Sequence, residues 1–243
     1  MELRDRIALV TGAGRRVGRA LALALASRGC RVAVHYNASE RGARDVLAEI
    51  EARGGNGAIF GADLSTPDAP AALIDRVAAA FGALDVLVNS AAIMERTPFG
   101  EVTAATWDRI LAINLRAPFL LAQAASPHLR ASRGAIINIA DLGAYETWPG
   151  YLPHGISKSG VVHMTRGLAR VLAPEVRVNA IAPGTVLLPD DWGTADEERL
   201  NRTTPLARQG TPDDVASAMV FLLEADYVTG ETIIVDGGRH IRR

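Results

Sequence analysis

The sequence predicts a single α/β domain built on one doubly wound parallel sheet. Three observations predict it. Short continuous apolar runs, such as residues 7–10, alternate with longer amphipathic segments along the whole chain. Runs apolar at consecutive positions suit strands covered on both faces, as parallel sheets require. No linker, repeat or low-complexity tract divides residues 1–243, and a chain of that length buries about three quarters of its unfolded surface in one core.

Composition narrows the function classes. Apolar residues make up 49% and aromatic residues 5%, so the core is aliphatic. A net charge of -1 argues against nucleic acid or an anionic membrane as the main partner. Cys30 is the single cysteine, without an intrachain partner, and reads as a small buried hydrophobe at the start of a strand. No Cys/His cluster has metal spacing, so no metal is expected. Residues 1–6 are charged and lead straight into a strand, so no signal peptide is expected. The longest apolar run, 20–26, is too short to span a bilayer. Together these features predict a soluble, cytoplasmic protein.

The first strand, 7–10, runs into Thr11-Gly12-Ala13-Gly14-Arg15-Arg16-Val17-Gly18, and 19–28 read as a helix. Strand, glycine-rich turn and helix start make an anion site. Glycine lets the backbone approach a pyrophosphate, and the helix N-terminus supplies N–H groups and positive potential. The plainer alternative is a tight βα turn; Arg15 and Arg16 speak against it by adding charge. The second strand, 31–36, ends in His35-Tyr36-Asn37-Ala38-Ser39. An NAD site carries an acid near this point for the ribose 2′-hydroxyl. The first acid here is Glu40, and Arg15, Asn37 and Ser39 can instead surround a 2′-phosphate, which predicts NADP(H).

A helix over 39–53 and a strand over 58–62 come next, ending at Asp63-Leu64. Asp63 either hydrogen-bonds an adenine amino group or caps the helix after Pro67. The fourth strand, 85–89, runs into Ser90-Ala91-Ala92, small residues against which a flat ring can lie. The helix over 106–130 holds Asn114 between Ile113 and Leu115, a polar group that needs a partner: backbone, or a water near the site. The strand over 135–140 ends at Asp141, at the edge where open α/β sheets bind ligands. Asp141 therefore shares a crevice with Asn89, unless it is a loop acid or cap. The strand over 177–181 ends at Ala182-Pro183-Gly184-Thr185. Residues 187–205, polar and acidic around Trp192, show little core pattern and read as a lid. A helix over 212–224 and a strand over 232–235 close the domain.

The stretch 151–160 stands apart. Lys158 is the only lysine among 26 basic residues. A compact ammonium does what a wide guanidinium fork cannot. His154 precedes it by four residues, one turn away on the same helix face. Tyr151 is seven residues from Lys158, about 10.5 Å along a helix axis. Pro153 puts Tyr151 at or before the helix start, where it reads as lining a substrate pocket.

Over its whole length this pattern resembles the short-chain dehydrogenase/reductase family. The family turn T-G-x-x-x-G-x-G has Arg16 at its middle glycine here. That variant, the His35-Tyr36 strand end and Asp141 at the family's serine position are similar to the pteridine reductase branch. The family's active site uses Asn, Ser, Tyr and Lys, with Tyr four residues before Lys. Asn114 and Lys158 match, Asp141 stands thirteen residues before the tyrosine position, and His154 occupies that position. The resemblance implies a Rossmann-like fold and NADP(H) bound by Gly12, Arg15, Arg16, Val17, Gly18, His35, Tyr36, Asn37 and Ser39. Asp63, Leu64, Asn89, Ser90, Ala91, Lys158, Pro183 and Gly184 complete that implied cofactor site. It implies a pocket with Met94, Tyr151, Thr185 and Trp192, and a homotetramer with the last helix and strand at an interface. It implies that Lys158 holds the nicotinamide ribose and that His154 moves the proton in tyrosine's place, with Asp141 orienting it or donating itself. A free histidine titrates near 6.5, whereas tyrosine needs help from about 10. Met94 stands where pteridine reductases carry a stacking ring, so the pterin does not carry over with fold and cofactor. Two functions follow: an NADPH-dependent reductase of a small carbonyl or C=N (pterin-like) substrate, or an NADP(H)-binding subunit or sensor with little or no catalysis.

Overall fold

Strands form where the chain can cover both of their faces. In the structure, a computed structural model that describes residues 1–188 and 193–241, the strands form one parallel sheet. They are β1 (Ile7–Val10), β2 (Arg31–Tyr36), β3 (Asn56–Gly61), β4 (Val86–Asn89), β5 (Ala135–Ile139), β6 (Arg177–Pro183) and β7 (Thr232–Val235). The order across the sheet is β3-β2-β1-β4-β5-β6-β7. The chain builds outward from β1 to one edge, then returns and builds the other half from β4. That reversal opens a crevice beyond the carboxyl ends of β1 and β4. Val10 there pairs with Val34 on one side and Val88 on the other.

The helices are α1 (Arg16–Ser27), α2 (Glu40–Ala52), α3 (Ala69–Phe81), α4 (Ala104–Leu111), α5 (Ala117–Ser132), α6 (Leu152–Leu172), α7 (Thr194–Thr203) and α8 (Pro212–Glu224). Successive strand side chains point to opposite faces. Ala8, Val10, Val32 and Val34 pack with Leu21 and Leu25 of α1, Ile50 of α2 and Met219 of α8. Ile7, Leu9 and Ala33 pack with Leu73 and Val77 of α3, Leu129 of α5 and Leu172 of α6. Each fully buried leucine in these layers contributes about 1.5–3 kcal/mol. Cys30 is buried at the start of β2, as its composition context predicts.

Several boundaries differ from the sequence pattern, each for a local reason. Helix α1 starts at Arg16 rather than 19, because Gly18 belongs to its first turn. A Cβ on Gly18 would meet the Gly12 carbonyl oxygen at 2.3 Å, so only glycine lets α1 sit on the turn. Strand β3 starts at Asn56 rather than 58, because its register with β2 runs from Arg31–Asn56 to Tyr36–Gly61. The helix expected over 106–130 starts at Ala104, where Thr103 accepts from the Thr106 N–H at 3.2 Å. It is also not uniform: Ala112–Arg116 wind as a π-helical segment between α4 and α5. Such a bulge is common at functional sites. The stretch expected as a coreless lid holds α7, anchored by buried Leu200. Trp192 lies outside the described residues. Thr211 and Asp214 form a reciprocal cap at the start of α8, and Arg208 beside Asp214 holds its carboxyl down to about 2.

Candidate active site

The crevice is built from strand ends. Beyond β1, Thr11 Oγ1 accepts from the N–H groups of Ser90 (2.9 Å) and Ala91 (3.0 Å), which ties the glycine turn to the end of β4. Gly12 takes φ +66°, and a Cβ there would meet Ala91 Cα at 2.9 Å. Val17 and Gly18 lie in the first turn of α1, whose N–H groups have no intrahelical partner. Arg15, Arg16 and Asn37 are exposed around this turn, and Ser39 is half-buried beside Gly14 and Gly42.

Opposite the turn, α6 carries the ionisable cluster. Lys158 is buried and donates from Nζ to the Ile139 carbonyl at 2.8 Å. Burial lowers its pKa to about 8, with Asp141 pulling the other way. His154, one turn earlier, is 2% exposed. Its Nδ1 lies 3.2 Å from the Ile93 carbonyl and 3.4 Å from Asn114 Nδ2. Both hydrogens of that amide are already used, on Ile93 O at 2.9 Å and Ser157 Oγ at 3.1 Å. The proton on the histidine therefore sits on Nδ1 and is donated to Ile93. This leaves Nε2 buried, without a hydrogen-bond partner, 3.8 Å from Asp141 Oδ1. Asp141 is the more accessible of the two, with a side chain 23% exposed against 3% for His154. It starts a 3-10 turn and accepts from the Gly143 N–H at 2.7 Å.

Asn114 is a bracket rather than a free polar group. Its amide also accepts from the Ile93 N–H at 2.9 Å, so the π segment, the loop after β4 and α6 meet at one side chain. Ser157, which the sequence pattern passes over, links Asn114 to the His154 carbonyl (2.6 Å). Its only signal is a small polar residue three positions after His154 on the same face.

Other predicted residues fall in different places. His35 does not face the crevice; it is 1% exposed, with its ring between Gly12 N and Ala62 O. Both ring nitrogens are therefore already engaged, and the ring reaches the crevice only through Gly12. Leu64 belongs to the core beside Leu73, which leaves only its main chain at the strand end. Asp63 accepts from the Ser65 N–H at 2.9 Å and is not the cap of α3, whose N-cap position is Asp68. Tyr36 lies over Gly61, where a Cβ would meet its ring at 2.9 Å. Asn89 donates to Asn138 (2.8 Å), which donates to Thr165 (2.9 Å), bracing β4 and β5 to α6. The Asn89 Oδ1 stays buried without a partner at the crevice floor. Pro183 ends β6, and Gly184 donates to Val235 O at 2.9 Å, beside Thr185. Met94 is exposed on the loop after β4. Tyr151 is the N-cap of α6 and meets Trp148 edge-on at 6.5 Å. Trp148, another residue the sequence reading passes over, packs on Gly143, where a Cβ would meet its ring at 3.1 Å. Both rings line a cavity of about 160 Å³ between Gly143 and Ser159. A second cavity, about 640 Å³ and lined by Trp107, Phe119 and Met164, contains none of the predicted site residues.

A glycine turn at the switch point of a doubly wound sheet, faced by a lysine–histidine–aspartate cluster, belongs to the α/β proteins built around a nucleotide crevice. Comparison with known proteins narrows that class. A family model described as enoyl-(acyl carrier protein) reductase matches residues 12–240. The 3-oxoacyl-[acyl-carrier-protein] reductase FabG of Staphylococcus aureus is 38% identical, over 96% of this chain and 98% of that one. The 3beta-hydroxysteroid dehydrogenase 1 of Eggerthella lenta is 35% identical, over 98% and 94%. A solved structure from Sinorhizobium meliloti 1021, assigned as a short-chain alcohol dehydrogenase, superposes with a TM-score of 0.94 at 36% identity, covering 100% of this chain and 99% of that one. The chain belongs to the short-chain dehydrogenase/reductase family of oxidoreductases.

Proposed function

We propose that this protein is an NADP(H)-dependent reductase of a small carbonyl or C=N compound, in which His154 and Asp141 together handle the proton. The observation that carries the reading is the convergence of Lys158, His154 and Asp141 at the carboxyl end of β5, in the same parallel sheet whose β1 ends in the glycine turn. The names of the relatives specify an oxo or hydroxyl substrate, which supports the carbonyl form.

The donor set suits a phosphorylated dinucleotide. Val17 and Gly18 at the start of α1 would hold the pyrophosphate. Arg15, Asn37 and Ser39 would surround the 2′-phosphate, Arg16 would add charge at the turn, and Asp63 with the main chain of Leu64 would border the adenine. Tyr36 would border the same pocket. Ser90, Ala91, Pro183 and Gly184 would flank the nicotinamide half, with Asn89 beneath it, and Lys158 would hold its ribose. Such a cofactor supplies or accepts a hydride when bound.

The protein's own part is the proton. Nδ1 of His154 is committed to Ile93, so Nε2 is the atom that gains and loses one. Asp141, nearer to solvent, is the member of the pair that meets substrate. One proton shared by the pair moves through Asp141 to the substrate oxygen or nitrogen as the neighbouring carbon becomes saturated. Solvent then returns a proton to the pair. Met94, Tyr151 and Thr185 would line the substrate side.

Steady-state assays over a panel of small ketones, aldehydes and cyclic imines test this. Asp141→Asn should lower kcat about 100-fold or more, the scale of one lost acid–base group, with NADPH affinity within about threefold of wild type. Tighter binding of NADH than NADPH would overturn the cofactor assignment. A second reading has one observation in its favour: Nε2 of His154 has neither exposure nor partner. On that reading the chain binds NADP(H) as a subunit or sensor. Tight NADPH binding without turnover, together with activity appearing in His154→Tyr, would decide for it. The homotetramer implied by the family stays part of the proposal, and sedimentation velocity tests it.

A further inference from the structure

We infer that His35 is a positioning residue for the glycine turn: its neutral imidazole, protonated on Nε2, holds the Gly12 N–H and so sets how the turn and the start of α1 face a pyrophosphate. The inference rests on reading that turn as the dinucleotide site.

His35 lies near the end of β2, 1% exposed. Its Nδ1 is 3.1 Å from Gly12 N, and its Nε2 is 3.1 Å from Ala62 O. The backbone N–H can only donate, so Nδ1 must accept. The carbonyl can only accept, so Nε2 must carry the hydrogen. One protonation state satisfies both contacts. The other tautomer sets a hydrogen against the Gly12 N–H, and the cation does the same while burying a charge. Burial lowers the His35 pKa to about 4, the bond to Ala62 opposing this and nearby Arg76 adding to it. Arg76 itself is bound to Gly61 O at 2.7 Å.

The residue acts twice on the turn. Its backbone carbonyl accepts from the Ala13 N–H at 2.9 Å. The N–H groups of Gly12 and Ala13 are therefore both spent on residue 35. Anion contacts then fall to the later N–H groups of the turn and to the first turn of α1, whose orientation follows from the two bonds. Gly12 has little freedom to adjust otherwise, with φ at +66° and Ala91 packed against its Cα. Through Ala62 the same ring reaches the end of β3, so one side chain ties three strand ends at the crevice.

Two substitutions in the full chain separate this role from simple packing. Asparagine can place an amide oxygen where Nδ1 sits; leucine fills the volume and accepts nothing. His35→Asn should bind NADPH within about threefold of wild type, and His35→Leu at least tenfold more weakly, read by cofactor fluorescence. Leucine and asparagine variants that both bind like wild type would overturn the idea. If the leucine variant does not fold, wild-type protein decides. With 15N-labelled histidine, one of the five ring systems should stay neutral and Nε2-protonated from pH 7 to pH 5 and vanish in His35→Asn. A His35 ring that titrates near 6.5, or that is protonated on Nδ1, overturns it. Failure of wild type to bind any reduced nicotinamide cofactor would instead remove the functional reading, while the ring spectrum would still report on Gly12.

Discussion

Lys158 holds a charge where the surroundings oppose one. Its pKa is lowered from 10.5 to about 8 by burial, with Asp141 opposing. Between those values the folded protein binds fewer protons than the unfolded chain. Stability therefore falls as pH drops from 10.5 to about 8 and stays at the lower level below that. Lys158→Met should stabilise the cofactor-free protein at pH 7 by about 3 kcal/mol, the equivalent of that shift, while removing NADPH binding. The urea midpoint and a cofactor titration check both halves. A midpoint that does not rise would mean that the bond to Ile139 offsets the burial. The four-residue step from His154 to Lys158 was legible in the sequence, because helical geometry fixes which residues share a face. Their partners were not. Ile93 O and Ile139 O are main-chain groups, which leave no mark on residue identity.

At the scale of elements, α1 and the α4–α5 helix show how small features place large ones. Gly18 lets α1 approach the turn to a distance that no side chain permits. Gly18→Ala should push the helix off Gly12, lowering NADPH affinity at least tenfold and the melting temperature with it. Equal affinity in the alanine variant would mean that α1 can shift without disturbing the anion site. The π segment likewise carries Asn114 to the carbonyl and N–H of Ile93. Periodicity showed a helix there but not the bulge, since one extra residue in a turn barely disturbs an apolar pattern. Helix α7 was hidden for a different reason. Its sequence is almost wholly polar, and only Leu200 is buried to anchor it.

For the molecule as a whole, the sheet and its two apolar layers set stability. Leu9 is fully buried at the centre of the sheet, so Leu9→Ala should cost 2–5 kcal/mol, about the range for core leucines. Chemical denaturation measures it. A loss below about 1 kcal/mol would mean that α3 and α5 close over the gap.

The sequence by itself determined the doubly wound sheet, the crevice at its switch point and the helix face shared by His154 and Lys158. These follow from local rules: apolar periodicity, glycine turns and helical spacing act over a few residues and are written in residue types. Only the tertiary structure decided that His35 turns inward to hold Gly12, that Asn114 brackets Ile93, and that Asp141 stands nearer to solvent than His154. Each of those depends on contacts between segments distant in the chain, several of them to backbone atoms, and no local pattern records where those atoms come to rest.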